Sequence, residues 1–198
     1  KIAEKYEEEN SDVSIEINQT GSSAGIKDAM DGISDIGLSS RDLKDEEAVK
    51  VKSTVLAYDG VAVITNTSNP VKELTIEQIR DIFTGKITNW NQIGGNDSPI
   101  VVVSRETGSG TRTAFEEGVG YSEEELVKTA TISKGNGDVK TTVSTNENAI
   151  GFVSFEYLDD AISAINVNGI KPTAENVKAG SYVLSRPFLA VTNEQYIT

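Results

Sequence analysis

The sequence predicts a mixed α/β protein, and three observations carry that prediction. Short apolar runs such as Ile100-Val101-Val102-Val103 and Ala149-Ile150-Gly151-Phe152-Val153-Ser154 alternate with segments of helical spacing. Glycine- and serine-rich turns mark the changes from strand to helix. Hydrophobic residues make up 37% of the 198-residue chain, the composition of a chain that buries a core. Repeated βα alternation points to largely parallel sheets.

In chain order, residues 1–10 read as a helix, with Ile2 and Tyr6 one turn apart. Residues 13–17 alternate with period two and read as a strand. A glycine/serine turn over 19–25 feeds a short helix over 26–30, and 33–38 is a short strand ending in Ser39-Ser40-Arg41-Asp42. Residues 45–52 read as an exposed helix. Residues 55–65 read as a buried strand interrupted at Asp59-Gly60, and Thr67-Ser68-Asn69-Pro70 as a linker where the chain could change domain. Thr75 and Gln78 have capping-box spacing for a helix over 74–83, with Ile76, Ile79, Ile82 and Phe83 on one face and Gly85 ending it. Trp90 is expected in the core. Further on, 122–129 reads as an acidic helix, 135–138 as a turn opening a helix over 139–144, and 149–154 as a strand. Residues 157–161 read as a short helix, 164–167 as a strand, 171–179 as a connection, and 182–192 as one bent strand or a strand pair.

Composition removes several function classes. There is no cysteine, so neither a disulfide framework nor a thiol nucleophile is available, and no histidine, which removes the Ser-His-Asp triad and histidine metal ligands. The net charge of −13 argues against nucleic acid, whose backbone needs a basic surface. It would also repel a small anion at long range, but screening over about 8 Å lets local donors decide. No stretch is apolar enough to span a membrane.

The stretch with most chemistry is Ser104-Arg105-Glu106-Thr107-Gly108-Ser109-Gly110-Thr111-Arg112, placed between a strand and a helix. A helix N-terminus offers unpaired amides and the positive end of the helix dipole. Gly108 and Gly110 allow close backbone approach, Ser109 and Thr111 add hydroxyls, and Arg105 and Arg112 add charged donors. The stretch fits a seat for a small oxyanion and equally an ordinary βα loop with two surface arginines. It is not a Walker A loop, since Gly-Lys-Ser and Gly-Lys-Thr are absent. Ser22, Ser39, Ser40 and Arg41 fall where strands end and ligands bind in open α/β sheets, though Ser22 could equally be a helix cap.

With these turns placed, the sequence resembles the phosphate-binding proteins of bacterial phosphate ABC transporters, the PstS type. Six segments carry the resemblance over nearly the whole chain: Thr20-Gly-Ser-Ser-Ala-Gly25, Asp35-Ile-Gly-Leu-Ser-Ser-Arg41, the stretch 74–90 with its Ile-Phe-Thr-Gly-Lys-Ile-Thr-Asn-Trp ending, Arg105-Glu-Thr-Gly-Ser-Gly-Thr111, Ala149-Ile-Gly-Phe-Val-Ser154 and Leu184-Ser-Arg-Pro187. The resemblance implies a two-lobed periplasmic-binding-protein fold of type II, with phosphate in the cleft. One lobe would comprise 1–66 and 160–198 and the other 67–159, with hinges near 65–69 and 154–159. It implies an extracytoplasmic, lipid-anchored, monomeric solute-binding protein that hands inorganic phosphate to a membrane permease. No catalytic residue, cofactor, metal or nucleic-acid partner is implied. The phosphate ligands carried over are Ser22, Ser39, Ser40, Arg41, Arg105, Ser109, Gly110 and Thr111.

Two positions depart from the pattern. Long members have an aspartate where Ser40 stands, accepting the proton of hydrogen phosphate, and another where Thr107 stands, orienting the loop arginine; Glu106 or Asp42 is expected to substitute for the second. Ser40 keeps a second oxyanion, sulfate or molybdate, open as ligand, and a phosphatase-like enzyme is the more distant alternative. The chain begins with Lys1 inside the family's first helix and stops soon after Val191, so it is expected to be a trimmed piece of a longer protein lacking one phosphate-binding loop.

Overall fold

A computed structural model describes residues 2–195; Lys1, expected in the first helix, and residues 196–198, expected in the first lobe, lie outside the described residues. In chain order the elements are α1 (Ile2–Glu9), α2 (Ser22–Met30), β1 (Gly37–Ser39), α3 (Asp45–Ala48), β2 (Lys52–Asn66), β3 (Glu73–Leu74), α4 (Ile76–Phe83), β4 (Val101–Arg105) and α5 (Gly110–Val119). They continue with β5 (Thr131–Ser133), α6 (Gly135–Thr145), β6 (Ala149–Ser154), β7 (Ile162–Ala164), β8 (Asn166–Val167), α7 (Ala174–Lys178) and β9 (Ser185–Thr192).

Local sequence explains much of this. Thr75 Oγ1 accepts from the Gln78 amide and Gln78 Oε1 from the Thr75 amide, the reciprocal cap expected for α4. Its apolar face, Ile79, Ile82 and Phe83, is fully buried. Trp90 is in the core, with its indole N–H donating to the Asn148 carbonyl at 3.0 Å.

Sheet order is β1-β9-β2-β6-β4-β5, with β7 also on β2, while β3 pairs β8 apart from it. β4 runs parallel to β5 and β6, but β2 is antiparallel to β6, β7 and β9, and β1 is antiparallel to β9. The expected parallel pairing is therefore confined to β5-β4-β6 and the short β3–β8 pair. The reason is β2, one long strand shared by both halves of the molecule: antiparallel partners can return to it without helical crossovers.

The core forms three clusters. One gathers Val61, Val63, Phe83, Trp90, Phe115, Ile150, Phe152, Tyr182 and Leu184, with the Phe115 and Phe152 rings stacked at 4.0 Å and Phe83 edge-on to Phe115 at 4.8 Å. A second comprises Ala62, Ile64, Val103, Val139, Val143, Ala149, Val153 and Ile162. The third, small one joins Ile26 and Ala29 of α2 to Leu189 and Val191 of β9. Along β2, residues 52–60 pair with β9 and residues 61–66 with β6 and β7. The clusters thus part at Gly60–Val61 and Leu184–Ser185, where the Val61 amide donates to the Leu184 carbonyl at 2.8 Å. A Cβ on Gly60 would lie 2.2 Å from the Phe155 ring, so only glycine lets that ring close against the crossing strand.

The core clusters part elsewhere than at 66/67 and 159/160, since Ile162 packs with Val103, and Ile165, Val167 and Tyr182 with Phe83. Residues 67–69 form a tight turn, held where the Asn66 side-chain Nδ2 donates to the carbonyls of Val143 and Ser144, and 154–159 stays with the large clusters. Residues 13–17 form no strand; their alternation lacks a partner ladder, and Val13, Ile15 and Ile17 are exposed. The acidic stretch 122–129 supplies only a single 3-10 turn, Glu123–Glu125, whose like charges disfavour continuation. The helix expected at 157–161 is a 3-10 turn over Phe155–Tyr157.

Candidate functional site

Two helix N-termini meet at the crossing between the clusters. Ser109 caps α5, its Oγ accepting the Arg112 amide at 3.3 Å. The amides of Gly110 and Thr111 then have no acceptor within the helix. Gly108, at φ 87°, takes the left-handed turn that delivers the chain to this cap. α2 opens with Gly21 at the cap position, which has no side chain to offer, so Ser22 is not the cap but the first helical residue. Its Oγ accepts from the Ser40 amide at 3.0 Å and shares a hydrogen bond with Ser40 Oγ at 3.2 Å.

The two termini touch. A Cβ on Gly110 would lie 2.1 Å from Ser22 Oγ and 2.4 Å from Ser40 Oγ. Glycine at 110 therefore sets how closely the α5 terminus approaches Ser22 and Ser40. Two positive dipole ends and the Ser22 and Ser40 hydroxyls then meet at Gly110, next to the Ser109 cap, an arrangement suited to an anion.

Arg105 ends β4 beside this volume and is 8% exposed. Glu106 grips it with two bonds of 2.8 Å, Nε to Oε2 and Nη2 to Oε1, and also accepts the Gly135 amide at 3.3 Å. The Arg105 hydrogen bonds hold the Glu106 carboxyl down to about 2. Arg105 Nη1 is buried and has no protein partner. Glu106 thus takes the orienting role expected of it. Asp42 does not, offering only its carbonyl to Arg41, and Thr107 donates instead to Glu123 Oε1 at 2.6 Å.

Six of the residues singled out from the sequence are brought together here: Ser22, Ser40, Arg105, Ser109, Gly110 and Thr111. Two are not. Arg41 is held by Glu47 through Nη1–Oε2 at 2.8 Å and Nη2–Oε1 at 2.9 Å, which raises the arginine's pKa and lowers the glutamate's. Ser39 closes the turn before it, its Oγ donating to the Arg41 carbonyl at 3.0 Å. Arg112 is likewise occupied, by Glu116 at 2.6 Å and by the Arg105 carbonyl at 3.0 Å, so it fastens α5 to the β4 end rather than facing a ligand. Sequence reasoning missed a buried ion pair of Asp59 and Arg186 at the crossing, although Arg186 lies in a quoted motif; no spacing rule could place it opposite Asp59.

The chain was compared with known proteins. A family model described as a PBP superfamily domain matches residues 1–197. The phosphate-binding protein PstS of Bacillus subtilis is 35% identical over 91% of this chain, which spans 61% of that relative's length. PstS of Borreliella burgdorferi is 29% identical over 97% of this chain and 73% of its own. Among solved structures, a phosphate ABC transporter substrate-binding protein from Clostridium perfringens, crystallised with bound phosphate, superposes with a TM-score of 0.94 at 59% identity, covering 99% of this chain and 81% of that one. An ABC-type phosphate transport receptor from Vibrio cholerae gives 0.87 at 38% identity, over 99% and 82%.

Proposed function

We propose, because this chain belongs to the PBP superfamily and within it to the PstS-type phosphate-binding proteins, that it captures inorganic phosphate outside the cytoplasm and presents it to the permease of an ABC transporter. The observation that carries the reading is the meeting of the α2 and α5 N-termini, where Ser22 and Ser40 approach Gly110; the Ser109 hydroxyl, the Gly110 and Thr111 amides and Arg105, all on the same β4–α5 turn, complete the donor set of this reading. Every group named is a donor, or a hydroxyl able to donate, which suits an oxyanion stripped of water.

The lobes of this reading are residues 2–60 with 185–195, and 61–184, as supported by the parting of the core clusters. Closure is a hinge motion of these lobes about Gly60–Val61 and Leu184–Ser185, which carries Ser22 and Ser40 onto the α5 terminus. The protein acts as a monomer, and a lipid anchor holds it to the membrane surface.

Ser40 favours a second reading, in which the same cleft takes sulfate. A carboxylate acceptor rejects an anion with no proton to give, whereas a hydroxyl can donate to it. Calorimetric titration with phosphate and then sulfate separates the readings. Tight phosphate binding with no sulfate heat supports phosphate capture; equal binding widens the ligand to oxyanions; no binding of either overturns both.

A further inference from the structure

A second buried guanidinium lies at the lobe crossing. Arg186 is the second residue of β9 and is 3% exposed. Its Nη2 donates to Asp59 Oδ2 at 3.0 Å, and the same oxygen accepts Ser154 Oγ at 2.6 Å. The guanidinium carbon sits 5.4 Å from the Phe188 ring centre. Its Nε and Nη1, however, are buried with no partner. Leaving such donors unmet costs about 1–3 kcal/mol per group, more when charged, so a fold that keeps them open implies an acceptor from outside the chain.

The topology places these donors on the same side as Arg105. β9, β2, β6 and β4 lie in that order, with Asp59 opposite Arg186 and Val61 opposite Ser154, the last residue of β6. β4 runs parallel to β6 and ends at Arg105, so Arg105, Ser154, Asp59 and Arg186 gather at one end of the sheet. A chain of bonds joins them. Arg105 holds Glu106, which accepts the Gly135 amide; the neighbouring Asn136 Oδ1 accepts the Ser154 amide at 3.3 Å; and Ser154 Oγ donates to Asp59. Arg105 also leaves a buried Nη1 without a partner. Burial, opposed by Asp59 and reinforced by the Arg105 charge, pushes the Arg186 pKa down, as expected of two cations sharing one enclosed region.

We propose that Arg186, set in place by Asp59 and Ser154, is a second guanidinium donor to the anion in the cleft, directly or through one water, and that it favours the doubly charged form. This rests on the oxyanion-binding reading above. It gives the crossing strands a direct part in binding, because a ligand that engages both Arg105 and Arg186 ties the end of β4 to the start of β9.

The test is phosphate calorimetry on the wild-type chain, Arg186→Met and Arg186→Lys, at about pH 5.5 and about pH 8.5, on either side of the second ionisation of phosphate. Asp59, Arg105 and Glu156 are the charged groups around Arg186, and all three are retained in both variants. Thermal unfolding without phosphate is measured in parallel to follow folding separately. The expected result is a loss of about tenfold or more in affinity for Arg186→Met at the higher pH, a clearly smaller loss at the lower pH, and partial recovery in Arg186→Lys. Wild-type affinity in Arg186→Met, or the same fold-loss at both pH values in Met and Lys variants alike, overturns the proposal and leaves the pair a structural one. A wild-type chain that binds no phosphate overturns the oxyanion-binding reading itself, and that result is distinct from a loss seen only in the variants.

Discussion

Gly110→Ala separates folding from binding more cleanly than any charge deletion. Gly110 is the first residue of α5 and is not in the left-handed region, so alanine suits its backbone and is favoured over glycine in a helix by about 0.5–1 kcal/mol. The added methyl would meet Ser22 Oγ at 2.1 Å, Ser40 Oγ at 2.4 Å and Ser22 Cβ at 2.9 Å. The hydroxyls could rotate, but Ser22 Cβ cannot, and Ser22 Oγ is pinned by the Ser40 amide. The two helix termini must therefore move apart, and the Ser22 and Ser40 donors lose reach of an anion seated on α5. Two hydrogen bonds to a charged ligand at about 1.5 kcal/mol each give about 3 kcal/mol, a loss of roughly a hundredfold in Kd. The assay is calorimetric phosphate titration beside thermal unfolding of the ligand-free chain. The expected result is a Tm at or above wild type with the affinity loss. Wild-type affinity in Gly110→Ala would refute the claim that this approach builds the site.

Three further variants probe the same construction. Arg105→Ala removes a charged donor and should weaken phosphate by about 2 kcal/mol, roughly thirtyfold, in the same titration; unchanged affinity would remove this loop from the site. For Glu106, the folded carboxyl sits near 2 and below its ordinary value, so its contribution is complete above about pH 4.5 and is lost as pH falls toward about 2. Its side chain is 38% exposed, so screening keeps that contribution modest. Acid titration of stability for wild type and Glu106→Gln should give curves that separate above about pH 4.5 and converge on acidification, and a pH-independent gap would contradict the assignment. Glu47→Gln leaves the buried Arg41 guanidinium short of its counter-charge. It should cost about 3 kcal/mol in chemical denaturation while leaving phosphate affinity within about twofold, since both Arg41 Nη atoms are taken up by Glu47 within the fold.

The sequence by itself determined what depends on near neighbours. The Thr75–Gln78 cap, the buried run of β6 and the burial of Trp90 all follow from spacing over a few residues, whereas α2 starts at Ser22, four residues before the helix read over 26–30. The donors of the proposed anion seat were legible for the same reason: amides at a helix N-terminus, the hydroxyls beside them and Arg105 gripped by its neighbour Glu106 are local arrangements. Tertiary structure decided what depends on distant partners. Strand 13–17 failed because alternation cannot supply a ladder. The sheet is mainly antiparallel because β2 is shared by both halves of the molecule, and the core clusters part at Gly60–Val61 because β2 exchanges β9 for β6 there. Arg41 and Arg105 are the same residue type beside similar turns, and each is gripped by both oxygens of a glutamate, yet Glu47 and the Asp42 carbonyl together take both Nη atoms of Arg41, while Arg105 keeps a buried Nη1 open. Whether a guanidinium is spent within the fold or left for a ligand is settled by which acceptors the packed chain brings within about 3 Å, and residue type alone does not encode that distance.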